Sequence, residues 1–277
     1  MLSEERETVM TKTIGIIGSG LSGSGLARLA VAAGYHVVIS NSRGPETISG
    51  LIEELGPLAR AASVDEAIAA GDLVAIPIPL ANFEALPAGK LAGKVVIDQT
   101  NYYPAASDFR RDDLDSGEIT SSELVQSHLR DSKVVKAFHN LDWHHLSFNA
   151  RPQGDPERTT LPVAGDDVAA KELVTRFMEA VGYDVVDAGS LAESWRIEPD
   201  TGIYFWPYAP KIPQGLSDDE QKRFYLEHIG EPLSRETARE LIATAKRPSP
   251  IGGSLEGLPP AHVAIFLDLA RGATFKR

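Results

Sequence analysis

The chain has 277 residues, of which 43% are hydrophobic and 24% are charged, a composition typical of a globular protein rather than of a disordered one. Asp and Glu number 39 against 27 Lys and Arg, which gives a net charge of −12. Nucleic acid and anionic lipid are therefore poor electrostatic partners, and we expect neither a nucleic-acid nor a membrane partner. The absence of cysteine excludes disulfides and thiol nucleophiles, and is compatible with a cytoplasmic location, which we predict.

The first eleven residues are polar and acidic. They lack the apolar segment of a secretory signal, so we predict a flexible tail that takes no part in chemistry. No stretch of the sequence approaches the ~18 apolar residues of a membrane-spanning helix.

Strand and helix patterns alternate from residue 12 onward. Short β-branched runs predict strands over 13–17, 35–40, 73–76, 94–98, 133–138, 160–164 and 183–187. Helical patterns lie between them, over 21–33, 45–55, 64–70, 124–129 and 168–181, with Thr120 and Glu123 at capping-box spacing and Asp166 as an expected N-cap. This alternation predicts an α/β fold with a doubly wound, mainly parallel sheet over residues 12–196.

The composition changes after about residue 196. Residues 199–216 hold four prolines and four aromatic residues, and helical patterns follow over 218–228, 234–246 and 261–269. We predict that residues 197–277 form a mostly helical, proline-rich extension that closes a pocket or mediates dimerisation.

A glycine-rich loop separates the first strand from the first helix. Its sequence, Gly18-Ser-Gly-Leu-Ser-Gly23, fits G-x-G-x-x-G in the strand–turn–helix context that makes this pattern informative. Gly18 would allow the tight turn, Gly20 would let the backbone approach a pyrophosphate, and Gly23 and Gly25 would let the helix lie close to the sheet. The helix N-terminus favours phosphate, although a glycine-rich turn without a ligand is the alternative.

The loop after the second strand distinguishes two dinucleotides. NAD-binding sites usually place an acidic residue there for the ribose hydroxyl, but this chain has Ser40-Asn-Ser-Arg43 and no acid before Glu46. Ser42 can donate a hydrogen bond to a 2′-phosphate, and Arg43 can pair with it. We therefore predict NADP(H), while an exposed turn arginine without a ligand remains the alternative.

Several sequence segments in combination resemble the NADPH:coenzyme F420 oxidoreductase family. They are Gly15-Ile-Ile-Gly-Ser-Gly20, Val38-Ile-Ser-Asn-Ser-Arg43, Gly93–Asp98, Val134–Phe138, Leu161–Asp167 and Asp187–Leu191. The resemblance covers about residues 12–196 and implies a Rossmann-like fold that also supports the cytoplasmic domains of transmembrane ferric reductases. It implies hydride transfer between NADP(H) and a second flat partner, the deazaflavin coenzyme F420, stacked on the nicotinamide.

The resemblance also implies roles for individual residues. It places the diphosphate at Ser19, Gly20, Leu21 and Ser22, the 2′-phosphate at Ser42 and Arg43, the ribose beside Ile76 and Pro77, and the nicotinamide beside Ala137. His139 matches a histidine beside the partner's ring. Residues 140–145 depart from the family's usual continuation, and the extension exceeds the compact members.

Residues that follow neighbouring strands are candidates for the second substrate's site, because ligands bind beyond the carboxyl ends of such strands. They are His139 and Asn140 after the strand over 133–138, and Asn101, Tyr102 and Tyr103 after the strand over 94–98. His139 could orient a carbonyl or supply a proton, Tyr102 could donate a proton, and a purely structural role is the alternative for each. His139, His144 and His145 lack convincing metal-ligand spacing, and we predict no metal.

Three functional hypotheses follow. The first is an NADP-dependent reductase of the deazaflavin type. The second is an NADPH-dependent reductase of a small organic carbonyl or imine, with the extension forming its pocket. The third is a sensor that binds NADPH without turnover. In each case a homodimer would give the extension, including Trp206, a surface to pack against, and Trp195 could stack on a flat partner or anchor the extension.

Overall fold

A computed structural model describes residues 12–105, 107–253 and 263–264. These residues form an eight-stranded sheet with the order β3-β2-β1-β4-β5-β6-β7-β8. The strands are β1 (Thr13–Ile17), β2 (His36–Ser40), β3 (Ala59–Ala61), β4 (Leu73–Ile76), β5 (Val95–Asp98), β6 (Lys133–Lys136), β7 (Thr160–Gly165) and β8 (Asp184–Asp187). Only β6 and β7 pair in antiparallel fashion among these strands, so the predicted doubly wound, mainly parallel sheet is confirmed.

Ten α-helices connect and cover these strands in the described part of the chain. They are α1 (Leu21–Ala32), α2 (Ser49–Leu55), α3 (Val64–Ala70), α4 (Ala88–Leu91), α5 (Asp112–Asp115), α6 (Ser121–His128), α7 (Trp143–Phe148), α8 (Val168–Ala180), α9 (Asp218–Glu227) and α10 (Arg235–Ala243). Single 3₁₀ turns or helices lie at Pro45–Ile48, Gly56–Leu58, Leu80–Ala85 and Leu191–Ile197.

Local side-chain chemistry explains where several helices begin. Thr120 and Glu123 form the predicted capping box of α6, which therefore starts at Ser121. Helix α8 is capped by Asp167, whose carboxylate accepts a hydrogen bond from the Ala170 amide. The prediction of Asp166 as this cap is wrong by one residue, because its carboxylate instead accepts a hydrogen bond from the Leu191 amide.

Alternate residues along the inner strands face two hydrophobic cores. Ile14, Ile16 and Ala75 belong to one core, whereas Val74 and Ile76 belong to the other. This alternation is expected for a sheet with helices on both faces. Helix α3 packs so tightly that a Cβ on Gly15 would lie 2.1 Å from the carbonyl oxygen of Ala67.

The C-terminal extension shares the first of these cores. Ile203, Tyr208, Leu233 and Ile242 are buried in the same cluster as the β1 residues, so the extension packs directly on the sheet layer. No helix in the described residues is long and apolar enough to cross a membrane. The predicted tail over 1–11 and nearly all of the predicted helix over 261–269 lie outside the described residues.

Candidate functional site

The glycine loop connects β1 to α1 in a geometry that glycine alone tolerates. Gly18 has φ of +121°, and its amide donates a 2.9 Å hydrogen bond to the Ser40 carbonyl. A Cβ on Gly23 would lie 1.9 Å from the Gly18 carbonyl oxygen, so the loop and the helix lie too close for a side chain. Gly25, in contrast, approaches the Trp143 carbonyl of α7, which corrects the prediction that it packs against the sheet.

The N-terminus of α1 is open to a ligand. Within the described residues no side chain caps it, since its N-cap is Gly20, and a Cβ on Gly20 would meet nothing within 4 Å. Unpaired amides at a helix start bind anions well. These observations fit the diphosphate of a dinucleotide, which the resemblance places at Ser19, Leu21 and Ser22.

The loop after β2 presents a serine and an arginine to solvent. Ser42 and Arg43 are both exposed, and no ion pair of Arg43 occurs in the described part of the chain. The Arg43 amide donates to Asn41 Oδ1 at 3.2 Å, and Asn41 Nδ2 donates to Thr47 Oγ1 at 2.7 Å. Asn41 therefore shapes the loop while the guanidinium stays available for an anionic group such as a 2′-phosphate.

A cavity of about 700 Å³ opens beside the glycine loop. Gly20, Leu21 and Ser22 form one wall, and Pro77 to Ala81 form another beyond the end of β4. Three further segments complete the wall. The segment after β5 contributes Gln99, Asn101, Tyr102, Tyr103, Ser107 and Phe109, and the segment after β6 contributes Phe138 to Trp143. The extension contributes Pro199, Asp200, Tyr204, Phe205, Trp206 and Gly253. The volume lies within the range of small-molecule sites.

The structure brings His139 and Asn140 together at the base of the extension. Strand β6 ends at Lys136, two residues before the predicted end at Phe138. The positive φ of Phe138, +59°, turns the chain beyond the carboxyl end of β6. His139 Nε2 donates to the Ile197 carbonyl at 2.8 Å, and Asn140 Nδ2 donates to the same carbonyl at 2.9 Å. The Phe205 amide donates to the Asn140 carbonyl at 2.7 Å, so both residues hold the extension on the core.

His139 is neutral in this environment. Burial, and then the nearby Lys136 ammonium, lower the pKa of His139 well below its usual range. Since a carbonyl can only accept a hydrogen bond, the proton resides on Nε2, and the buried Nδ1 is left with a lone pair and no partner among the described residues. The role of His139 in orienting a carbonyl or supplying a proton stays a prediction.

The hydroxyl of Tyr102 serves a structural contact. It donates a 2.6 Å hydrogen bond to Asp115 of α5, and burial, followed by that hydrogen bond, raises the pKa of Tyr102. Asp115 does not line the described cavity, and the hypothesis that Tyr102 donates a proton to substrate stays a prediction. Its ring still contributes to the cavity wall.

Tyr103 and Tyr204 join their hydroxyls across the cavity edge. Withdrawal of the Tyr103 hydroxyl from water raises its pKa to about 12, although 38% of the residue is exposed. Burial also raises the pKa of Tyr204 well above its usual value. Both phenols are therefore neutral at physiological pH.

Helix α9 docks over α7 through a buried carboxylate. Asp142 Oδ2 accepts hydrogen bonds from the Tyr225 hydroxyl at 2.5 Å and from His145 Nδ1 at 2.7 Å. Burial opposes the charged forms of both partners, but their mutual attraction and hydrogen bonds lower the pKa of Asp142 and raise that of His145. Tyr225 packs with Leu21, Trp143 and Phe205, so α9 covers the end of the glycine loop.

Some predicted residues lie outside the cavity. The side chains of Ile76 and Ala137 are fully buried in the two cores, so any cofactor contact would come from their backbone. The guanidinium groups of Arg196 and Arg247 lie over the Trp195 ring, 4.5 and 5.0 Å from its centroid, which supports an anchoring role. Among the described residues no group of three metal-ligating side chains exists.

Sequence reasoning missed several residues of the wall, among them Gln99, Pro199 and Asp200. Gln99 immediately follows β5, so the carboxyl-end rule that selected Asn101 could have found it. Pro199 and Asp200 come from the extension and carry no local signal of their position.

Three comparisons with known proteins bear on this geometry. Residues 13–102 match the family model described as NADP oxidoreductase, coenzyme F420-dependent. A hypothetical protein from Sinorhizobium meliloti is 30% identical, with a TM-score of 0.59, over 67% of this chain and 88% of that one. A candidate F420-dependent NADP reductase from Arthrobacter sp. FB24 has a TM-score of 0.55 at 23% identity, over 66% of this chain and 87% of that one, and shows the shared fold.

Curated relatives include longer proteins. Metalloreductase STEAP3 of Rattus norvegicus is 29% identical over 187 residues, which are 67% of this chain and 35% of that protein. The chain thus matches about a third of that relative's length. The family model covers β1 to the cavity residue Tyr102, and the Sinorhizobium structure extends the similarity over two thirds of the chain. The chain belongs to the coenzyme F420-dependent NADP oxidoreductase family.

Proposed function

We propose that this protein transfers a hydride between NADP(H), bound along the glycine loop, and a second flat partner in the adjacent cavity. The observation that carries the proposal is the continuity of the two sites. Gly20, Leu21 and Ser22 belong both to the open N-terminus of α1 and to the cavity wall. A dinucleotide whose diphosphate lies on that helix could therefore extend its nicotinamide into the cavity.

NADP(H) is the dinucleotide that the β2 loop favours. Arg43 is exposed beside Ser42, and the Asn41 hydrogen bonds orient the backbone between them. A guanidinium matches the charge and geometry of a phosphate. When bound, NADPH supplies the hydride, while the chain holds and orients it and excludes water.

Coenzyme F420 is the first candidate for the partner. The family description names it, and the aromatic residues Tyr103, Tyr204, Phe205 and Trp206 of the cavity wall suit a flat ring system. Direct hydride exchange between stacked rings requires orientation rather than a catalytic acid. This agrees with a neutral His139 and an engaged Tyr102 hydroxyl.

A small organic carbonyl or imine is the second candidate. The extension supplies Pro199, Asp200, Tyr204, Phe205 and Trp206 to the wall, which limits the space, and no described lining residue is a lysine or arginine. Coenzyme F420 carries an anionic tail that basic residues would be expected to bind. A compact substrate without such a tail needs no basic residue.

Calorimetry and absorbance together test this proposal. We expect NADPH to bind more tightly than NADH, and Arg43→Ala to weaken NADPH binding about tenfold with little effect on NADH, since a lost phosphate contact costs about 1–2 kcal/mol. Arg130→Ala, an exposed arginine outside the cavity, is the control. Equal affinities for both dinucleotides, unchanged in Arg43→Ala, would contradict the β2-loop assignment.

Turnover then distinguishes the two partners. NADPH oxidation at 340 nm that requires oxidised F420 would support the first candidate. Tight NADPH binding with oxidation by small carbonyls or imines, and none by F420, would support the second. Failure of NADPH to bind at all would refute the proposal.

A further inference from the structure

Two tyrosines meet at the edge of the cavity and share one hydrogen bond. Tyr103 follows β5 and Tyr204 belongs to the extension, and both residues line the cavity. Their hydroxyls bond to each other, and neither hydroxyl donates to another acceptor in the described part of the chain. The contact therefore joins the core to the extension through two groups that can each donate a proton.

The pair carries one more proton than its shared hydrogen bond uses. Each phenol has one O–H, and the bond between the two oxygens takes up one of the two protons. The second proton has no acceptor among the described residues. Because a withdrawn donor without a partner costs free energy, a ligand that fills this edge of the cavity must offer an acceptor to it.

Tyr204 is fixed at the edge of the sheet where ligands are expected. Its amide donates to the Thr201 carbonyl at 3.0 Å, and the next amide, that of Phe205, donates to the Asn140 carbonyl at 2.7 Å. The Tyr204 ring lies beside the His139 ring, with centroids 6.3 Å apart. Since His139 lies beyond the carboxyl end of β6, where ligands bind in such sheets, Tyr204 is placed next to a substrate.

Tyr103 supports the Tyr204 hydroxyl from the more exposed side. Tyr103 is exposed, whereas Tyr204 is half-buried, and the Asn101 side chain also hydrogen-bonds to the Tyr103 hydroxyl. Asn101 Oδ1 makes no hydrogen bond in the described residues, so this contact comes from the amide nitrogen, which donates. A Tyr103 oxygen that accepts from Asn101 directs its own proton to Tyr204, and the Tyr204 proton is then the one without an acceptor.

Both phenols keep their protons at physiological pH. Burial, and then the nearby Tyr103 and Asp200, raise the pKa of Tyr204 well above its usual value. Burial also raises the pKa of Tyr103 to about 12. Hydride addition to a carbonyl carbon builds negative charge on the carbonyl oxygen, and a neutral phenol can stabilise and protonate that oxygen because an alkoxide is more basic than a phenolate.

We infer that Tyr204 is a catalytic proton donor, that Tyr103 is its positioning residue, and that the hydride acceptor is an aldehyde or a ketone. This inference rests on the proposed function for its redox step. The carbonyl carbon gains the hydride, the C=O π pair becomes a lone pair on oxygen, and that oxygen takes the Tyr204 proton to give an alcohol. The phenolate left on Tyr204 regains a proton from water, and NADP⁺ is the oxidised product.

Infrared difference spectroscopy tests the hydrogen bond without turnover. The probe is 1-tetralone labelled with ¹³C at the carbonyl, added with and without NADP⁺. A hydrogen bond to the carbonyl oxygen weakens the C=O bond, so the stretch of the bound ketone should lie at lower frequency in wild type than in Tyr204→Phe. Equal frequencies in the two proteins would overturn the inference.

Steady-state turnover of 1-tetralone with NADPH supplies the second test. Tyr204→Phe should lower kcat at least about hundredfold with little change in KM, the scale of a lost proton donor. Tyr103→Phe should lower kcat about three- to tenfold, because the donor remains but is less well oriented.

Two other tyrosines make the kinetic test specific. The control Tyr208→Phe removes a hydroxyl of the same extension that donates to the Thr160 carbonyl at 3.2 Å, outside the described cavity, and should keep wild-type kcat and KM. A hundredfold loss of kcat in Tyr102→Phe, together with wild-type kcat in Tyr204→Phe, would assign the proton to Tyr102 and overturn the inference.

NADPH binding separates this inference from the proposed function. If NADPH binds but neither 1-tetralone nor benzaldehyde binds or is reduced, the carbonyl inference fails and the proposed function stands. If NADPH does not bind while wild type still lowers the carbonyl stretch of 1-tetralone relative to Tyr204→Phe, the proposed function fails and the Tyr204 hydrogen bond stands.

Discussion

Asn140→Asp tests whether one buried amide holds the extension on the core. The Asn140 side chain is fully buried, and its Nδ2 donates to the Ile197 carbonyl at 2.9 Å and to the Ile203 carbonyl at 3.4 Å. The substitution preserves shape but replaces this donor with an oxygen. An ionised carboxylate would face two carbonyl oxygens with no donor, so burial should raise the pKa of the introduced carboxyl.

The magnitude depends on pH with a defined sign. When protonated, the new carboxyl can restore one of the two hydrogen bonds, so near pH 4 the variant should lose about 1–2 kcal/mol of unfolding free energy relative to wild type. The folded-state pKa of the introduced carboxyl is raised above its unfolded-state value of about 4. The loss of unfolding free energy should therefore grow by about 1.4 kcal/mol per pH unit as the pH rises from the unfolded-state pKa to the folded-state pKa. At pH 8 we expect a total of about 3–5 kcal/mol, the cost of an unpaired buried charge.

Urea denaturation followed by circular dichroism at pH 4, 6 and 8 measures this loss. Tryptic cleavage at the exposed Lys211 should report release of the extension. The control is Asn82→Asp at an exposed position, which should shift stability by less than about 0.5 kcal/mol. If the unfolding free energies of Asn140→Asp and wild type differ by less than about 1 kcal/mol at all three pH values, the Asn140 amide does not hold the extension on the core.

Three further predictions concern Gly23, His145 and Tyr102. Gly23→Ala should weaken NADPH binding more than about tenfold in calorimetry, because its Cβ would lie 1.9 Å from the Gly18 oxygen. The control is Gly50→Ala, whose Cβ would meet nothing within 4 Å and which should bind NADPH as wild type does. Wild-type NADPH affinity in both variants would contradict the close approach of the loop and the helix. The stability advantage of wild type over His145→Asn should shrink by about 1 kcal/mol or more as the pH rises from 6 to 9. The raised pKa of His145 gives the folded state extra stability below about pH 6.5, and this stability is lost as the pH rises through the folded-state pKa. A pH-independent difference in thermal unfolding would exclude an ionised pair. Tyr102→Phe should lower stability by about 1 kcal/mol through loss of the Asp115 contact and leave turnover within about twofold, whereas a hundredfold loss of kcat would identify Tyr102 as a proton donor.

Local chemistry predicted most of the sheet and the cofactor side of the site. The Thr120–Glu123 capping box and the glycine loop are encoded by neighbours three to five residues apart, so pattern and conformational preference suffice to find them. The short strand β3 and the four-residue helices α4 and α5 are too brief to produce a periodic signal. Their formation depends on tertiary packing.

The substrate side of the cavity is set by contacts between distant parts of the chain. Asn140 bonds to residues 57 and 63 positions away, and the sequence contains no indication of those partners. The neutral state of His139 likewise depends on burial by the extension, which no local pattern reveals. The carboxyl-end rule could place His139 and Asn101 at one sheet edge, but could not show which of their atoms are already engaged.

The two parts of the cavity wall come from different segments of the chain, which has a consequence for how substrate specificity could change in related proteins. The glycine loop and the β2 loop lie near the start of the chain, whereas the wall residues Pro199, Asp200, Tyr204, Phe205 and Trp206 come from the extension. The extension is fastened through a few fixed attachment points, among them the Ile197 carbonyl and Glu198, which accepts from Ser121 Oγ at 2.8 Å. A replacement segment that kept those attachments could change the substrate while the dinucleotide machinery stayed intact, so the extension is a natural exchange unit for grafting new acceptors onto this core.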